Sequence, residues 1–168
     1  MTVELVAPAG NLPALRKAVE HGADAVYIGF RDATNARNFP GLNFDAAGAS
    51  EAVAYAHAHG RKVLLALNTY PQPHNWPVWT AAVDQAAALG VDALILADTG
   101  LLHYAHRQYP ELRLHLSVQG SATSHEAIAF YREQFAIQRV VLPRVLSLAQ
   151  VKRVIAQSDV EVETFAFG

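Results

Sequence analysis

A joint used twice dictates most of what this chain can become. His21-Gly-Ala-Asp-Ala-Val-Tyr-Ile-Gly29 and Leu89-Gly-Val-Asp-Ala-Leu-Ile-Leu-Ala97 run in the same order: helix end, Gly, one variable residue, Asp-Ala, then a short apolar run. Glycine just past a helix supplies the left-handed turn that stops it. An apolar run of four or five residues bounded by turn signals reads as a buried strand. Reuse of the joint means that one strand and helix unit repeats. Extended along the chain, the pattern predicts strands at 3–7, 25–28, 63–67, 93–97, 112–118, 139–142 and 160–165. Helices are predicted from Asn11 to a stop at Gly22, and at 47–59, 78–89, 100–109, 124–134 and 148–156.

Strands that alternate with helices pair in parallel. The expected fold is therefore α/β, a (β/α) TIM-type barrel, incomplete, with about seven strands and six helices. A doubly wound open sheet is the weaker reading, because Pro8-Ala-Gly-Asn11 after the first strand is not a Gly-x-Gly-x-x-Gly phosphate turn. A closed barrel has eight strands and ~250 residues. The 168 residues, ending on a strand, are expected to be the N-terminal part of such a domain.

Composition narrows the function. A hydrophobic content of 52% supports one substantial core. The net charge of −2 and a pI near 6.4 carry no electrostatic footprint for RNA or DNA, so no nucleic-acid partner is expected. With no cysteine there is no thiolate metal site and no thiol nucleophile in these residues. No apolar run approaches the ~18 residues of a membrane span, and the cytoplasm is the expected location. Neither a Gly-x-Ser-x-Gly elbow, a His-Glu-x-x-His helix nor a Walker loop occurs. His103 and His106 lie three apart on a helix without a matching carboxylate, so no metal site is expected.

In a parallel barrel, functional groups gather on the loops that leave the carboxyl ends of the strands. The loop after the second strand, with Asn35 and Arg37, opens onto that rim, and Asn68, Asp98, Gln119, Arg144 and Glu163 stand at or near the ends of later strands. These seven are the candidate binding residues; no catalytic residue is assigned. Arg37 and Arg144 together would suit a small carboxylate, since each presents a planar fork. Alternation in the fifth strand puts Arg113, His115, Ser117 and Gln119 on one face, inside the barrel. Glu4, Arg113 and Glu161, near strand beginnings, read as structural ion pairs, because a lone buried charge is costly.

Several stretches, in order along the chain, resemble one family. They are Val6-Ala-Pro-Ala-Gly-Asn-Leu-Pro-Ala-Leu15, Gly22 to Gly29, Thr34-Asn-Ala-Arg37 with Gly41-Leu-Asn-Phe44, Ser117-Val-Gln119, Val141-Leu-Pro-Arg-Val-Leu-Ser147 and Glu163-Thr-Phe-Ala-Phe-Gly168. Together they are similar to peptidase family U32, and most to its ubiquinone-biosynthesis branch, the UbiU-like proteins. The family pattern continues from Glu-x-Phe-x-x-Gly into cysteines, and Glu163, Phe165 and Gly168 match its opening.

The resemblance implies oxygen-independent hydroxylation in ubiquinone biosynthesis. It also implies a UbiV-like homologous partner subunit, quinone-precursor substrates, prephenate as oxygen donor, and an iron-sulfur cluster on cysteines beyond this chain. The alternatives are a non-catalytic scaffold, or an RNA-hydroxylating or protease-like member of the same family. No nucleophile and base pair supports the protease reading. Open strand edges at the first and last strands imply self-association of the isolated chain, with the loop 31–44 loosely held.

Overall fold

The computed structural model describes residues 3–167. One sheet of seven parallel strands, in the order of the sequence, is interleaved with six α-helices. The elements are β1 (Val6–Pro8), α1 (Leu12–Glu20), β2 (Ala25–Gly29), α2 (Ala46–Ala58), β3 (Lys62–Leu67), α3 (Trp76–Leu89), β4 (Ala93–Leu96), α4 (Thr99–Gln108), β5 (Arg113–Leu116), α5 (His125–Phe135), β6 (Arg139–Val141), α6 (Leu148–Gln157) and β7 (Glu161–Glu163). This is the α/β barrel segment that the alternation predicts. No helix among the described residues is long and apolar enough to cross a membrane.

The helix boundaries follow local chemistry. Asn11, Asp45, Asp98 and Ser124 each accept a backbone N–H of the first turn of α1, α2, α4 and α5, which satisfies one of the donors a helix start leaves open. Ser147 and Gln150 close α6 with a reciprocal capping box. Gly22 and Gly90, at the repeated joint, have φ of 97° and 73°, which L side chains rarely adopt. The fifth strand is shorter than expected. Ser117 accepts the N–H of Gln119 at 3.3 Å and turns Val118–Gly120 into a 3₁₀ turn, so Gln119 leaves the sheet for the rim.

Strand alternation divides the interior in two. Val26, Ile28, Val63, Leu65, Leu94, Leu96, Leu114, Leu116 and Val140 pack beneath the helices. Ala25, Leu64, Ala66, Ala93 and Ile95, with Val6 and Tyr27 against them, form a small second cluster on the concave side. Beyond these, the concave face turns polar. The register places Ile95 beside His115, His115 beside Arg139, and Arg139 beside Glu161.

Arg139 shows how far the sheet curls. Its guanidinium bonds Glu161 at 2.6 Å and Glu163 at 3.3 Å on β7, and also Glu4, ahead of β1 at the opposite edge. In a flat sheet β1 and β6 would lie ~24 Å apart, five strand spacings. Only a strongly rolled sheet lets one side chain reach both edges. Lys62 on β3 holds the other oxygen of Glu4 at 2.7 Å, and Arg113 on β5 holds Glu161 at 2.9 Å. Three acids and three bases thus stitch four of the strands to the segment ahead of β1, as expected for Glu4, Arg113 and Glu161, with Arg139 at the hub.

Candidate functional site

The loop from β2 to α2 builds one wall of the carboxyl rim. Phe30 and Phe44 form an isolated parallel bridge, and Phe44 N–H donates to the Gly29 carbonyl at 3.1 Å. Gly29 is required here: a Cβ would lie 2.1 Å from Nδ2 of Asn35. Asn35 is buried beneath the loop, where its Oδ1 accepts Arg37 N–H at 3.0 Å. Asn43, at φ 72°, donates Nδ2 to the Arg37 carbonyl at 2.8 Å. Asn68, following β3, accepts Ala36 N–H at 2.9 Å. Three asparagines brace the loop around Arg37. Its Nη1 donates to the Tyr27 hydroxyl at 2.7 Å.

Beside Arg37 lies a cleft across the barrel mouth, lined by Tyr27, Arg37, Asn68, Ser117, Gln119, Glu163 and Phe165 above an apolar floor of Ala66, Ile95 and Val141. Ser117 Oγ donates to Gln119 Oε1 at 2.5 Å, and Asn68 Nδ2 approaches the same oxygen at 3.3 Å. That fixes the amide and leaves its NH2 for a guest. Tyr70 donates its hydroxyl to the Gln119 carbonyl at 2.8 Å, with its ring half exposed. A second hollow, at the opposite rim, is lined by Ala87, Gln108, Tyr109, Pro110, Glu111 and Leu112. It lacks the convergent polar groups of the first.

Four of the seven candidate residues, Arg37, Asn68, Gln119 and Glu163, meet at this cleft. Asn35 supports it from beneath. Asp98 is occupied as the cap of α4, accepting Leu101 N–H at 2.8 Å. Arg144 lies over the Phe165 ring, 4.0 Å from its centroid, so of the two arginines only Arg37 lines the cleft. Tyr27 and Arg139 were missed by sequence reasoning. Tyr27 sits in an apolar strand, and Arg139 begins a strand of three residues, too short for alternation to show its face.

Charge is tuned unevenly among the acids. Burial raises the Glu161 carboxyl, but hydrogen bonds from Arg113 and Arg139 overcome it and bring it down to about 2. Glu4 is likewise pushed up by burial and held below its usual value by Lys62 and Arg139. Glu163 goes the other way: burial dominates and lifts it, with Arg139 offsetting only part. It is the acid at the cleft, and the one most ready to hold a proton.

An iron-sulfur cluster needs thiolate ligands. This chain has no cysteine, so its residues do not fit such a group and no step is assigned to one.

The family model for peptidase family U32 matches residues 10–168. The tRNA hydroxylation protein P of Escherichia coli K12 is 34% identical over 98% of this chain, and the tRNA hydroxylation protein P1 of Bacillus subtilis 168 is 34% identical over 98%. The 23S rRNA 5-hydroxycytidine C2501 synthase of Escherichia coli K12 is 32% identical over 99%. The chain spans 36%, 38% and 24% of the lengths of these three relatives. Among solved structures, the U32 peptidase Mk0906 superposes with a TM-score of 0.76 at 18% identity, over 97% of this chain and 68% of that one. A thiamine phosphate pyrophosphorylase from Pyrococcus furiosus superposes at 0.67 and 14%, over 96% and 74%. At such identities these structures speak for the fold alone.

The names of the relatives correct two expectations. They are tRNA and rRNA hydroxylation proteins, which overturns ubiquinone biosynthesis, with its quinone-precursor substrates and UbiV-like partner. The exclusion of nucleic acid falls as well. It rested on a net charge of −2, and net charge describes the long-range field of a whole molecule, whereas this chain spans about a third of the tRNA-hydroxylating relatives. With residues 10–168 matching the family model, the chain belongs to peptidase family U32.

Proposed function

We propose that this chain is the barrel-forming part of an RNA hydroxylase, and that the cleft at its carboxyl rim engages the target nucleotide. The observation that carries the reading is the 34% identity to a tRNA hydroxylation protein along 98% of the chain. The chemistry of the cleft supports it. Protein modules that read RNA stack splayed bases on aromatic rings and hydrogen-bond their edges with amides, while Arg takes phosphate. The rim offers Tyr70 and Phe165 as rings, Asn68 and Gln119 as amides, and Arg37 as a fork with one nitrogen held by Tyr27.

The roles divide accordingly. Gln119, oriented by Ser117, presents its NH2 to a base edge. Arg37 neutralises one phosphate. Glu163 faces the cleft, where burial raises its affinity for a proton.

The test removes the gene for the intact protein from its host, digests tRNA and rRNA to nucleosides, and measures by mass spectrometry those heavier by one oxygen. Loss of one such nucleoside is expected, restored by the wild-type gene and not by Arg37→Ala. An unchanged nucleoside profile in the deletion strain contradicts the reading.

A further inference from the structure

One wall of the cleft is a chain of hydrogen bonds with a fixed end. A backbone N–H can only donate, so the Ala36 N–H that reaches Asn68 at 2.9 Å turns Oδ1 of Asn68 toward itself. The NH2 of Asn68 is then the group that faces Gln119, and it donates to Oε1 at 3.3 Å. Ser117 repeats the constraint. Its Oγ accepts the Gln119 backbone N–H at 3.3 Å, and its hydroxyl hydrogen goes to the same Oε1 at 2.5 Å. Reversing the Gln119 amide would set its NH2 against the NH2 of Asn68 and leave Oε1 without either donor. Although Gln119 is exposed, its amide therefore has one orientation.

The locked amide presents hydrogens to the cleft. Gln119 lines it together with Asn68 and Ser117, and each side-chain oxygen of the three already accepts a hydrogen bond. The NH2 of Gln119 has no acceptor among the described residues. A guest atom that meets it must accept. On a nucleobase, one position decides the match: uracil and guanine carry a carbonyl where cytosine and adenine carry an exocyclic amino group. An amino group there would face N–H hydrogens, and a polar group taken from water without a partner is costly. Phosphate also accepts, but the floor beside this wall, Ala66, Ile95 and Val141, is apolar and suits a flat base. Arg37 is the charged partner for phosphate.

We infer that Gln119 is a specificity-determining residue and Asn68 its positioning residue: the locked amide selects a base that turns a carbonyl, and not an amino group, toward it. This rests on the cleft engaging RNA, as proposed above. Uracil or guanine is then preferred over cytosine or adenine. The loop between β2 and α2 takes part in the choice, because the N–H that starts the chain belongs to Ala36, beside Arg37.

The experiment measures, by fluorescence anisotropy, binding of the intact protein to four labelled RNA heptamers, each abasic except for a central uracil, cytosine, guanine or adenine. The tightest is expected to carry a carbonyl base and to exceed its amino counterpart, uracil over cytosine or guanine over adenine, about tenfold, the effect of one hydrogen bond. Two isosteric variants test the cause. Gln119→Glu turns an oxygen toward the guest and is expected to reverse the preference; its added charge weakens all four heptamers alike, so the ratio within a pair isolates the donor. Asn68→Asp keeps an acceptor for Ala36 but loses the donor to Oε1, so the Gln119 amide turns round and the preference is expected to disappear. A purely structural role for Asn68 would weaken all four and leave the ratio unchanged, which overturns its positioning role. Should Asn68→Asp melt early, Gln119→Glu still decides for Gln119. Equal binding of carbonyl and amino bases by the wild type, a preference for the amino base, or a preference that survives Gln119→Glu each overturns the inference. Binding of none of the four overturns it as well, and the nucleoside profile of the deletion strain decides separately whether the RNA reading stands.

Discussion

Arg139→Met removes the hub charge of the concave network while keeping a long, apolar side chain in its place. The three acids that face it lose unequally. Glu4 keeps Lys62 at 2.7 Å, and Glu161 keeps Arg113 at 2.9 Å with half its side chain in water. Both are cushioned by the remaining pair and by solvent screening. Glu163, with 20% of its side chain exposed, has no ion-pair partner but Arg139 among the described residues. At 3.3 Å and an effective dielectric of ~20, that attraction is ~5 kcal/mol. Measured losses on breaking such buried pairs are ~3–5 kcal/mol.

Protonation limits the damage. The folded pKa of Glu163 is already raised, so ionising it opposes folding as pH rises, and loss of Arg139 raises it further. The deficit of the variant is therefore largest at neutral pH and shrinks on acidification toward the ordinary carboxylate value of ~4.5, as Glu163 takes up its proton. Urea unfolding of the intact protein at both pH values measures it. A deficit below ~1 kcal/mol at pH 7, the range of exposed pairs, or the same deficit at both pH values, refutes the reasoning.

In the wild type, Glu4 and Glu161 have folded pKa values below their ordinary range, Glu161 about 2. The stability they contribute is present above ~4.5 and is lost as pH falls toward ~2, so acid titration of stability is expected to show that loss in the wild type and less of it in Arg139→Met. Asp98→Ala removes the cap of α4 and is expected to lower stability by ~1 kcal/mol while complementation remains at wild-type level; loss of hydroxylation at full stability would return Asp98 to the site. Tyr27→Phe frees Nη1 of Arg37 and is expected to reduce hydroxylation with a stability change within ~1 kcal/mol, as read by the same nucleoside analysis and by urea unfolding. Gly29→Ala drives a methyl into Asn35 and is expected to expose the 31–44 loop to limited proteolysis; an unchanged digestion pattern contradicts the packing described.

The repeated Gly-x-Asp-Ala joint and strand alternation carry the fold, because both are local and periodic. They also place Arg37, Asn68, Gln119 and Glu163 at one rim, since position along a parallel strand decides which end a side chain serves. Pairings were harder to read. The roll of the sheet brings Glu163 to Arg139, and no local pattern records how strongly a sheet curls. Asp98 looked like a rim ligand until the helix start beside it claimed its oxygen. The exclusion of nucleic acid failed for a different reason. Net charge sums surface groups over the chain, whereas recognition at the cleft depends on a few oriented donors.

The central claim, that the carboxyl rim engages RNA, is most directly tested by photo-crosslinking. A benzophenone amino acid is placed in the intact protein either at Tyr70, on the carboxyl rim, or at Glu111, exposed at the opposite rim. Each protein is irradiated with total tRNA and rRNA from the deletion strain. Crosslinks at position 70 that persist in competition with DNA, and none at 111, are the predicted result. Crosslinks at 111 and none at 70 would place the RNA at the wrong end of the barrel and contradict the account.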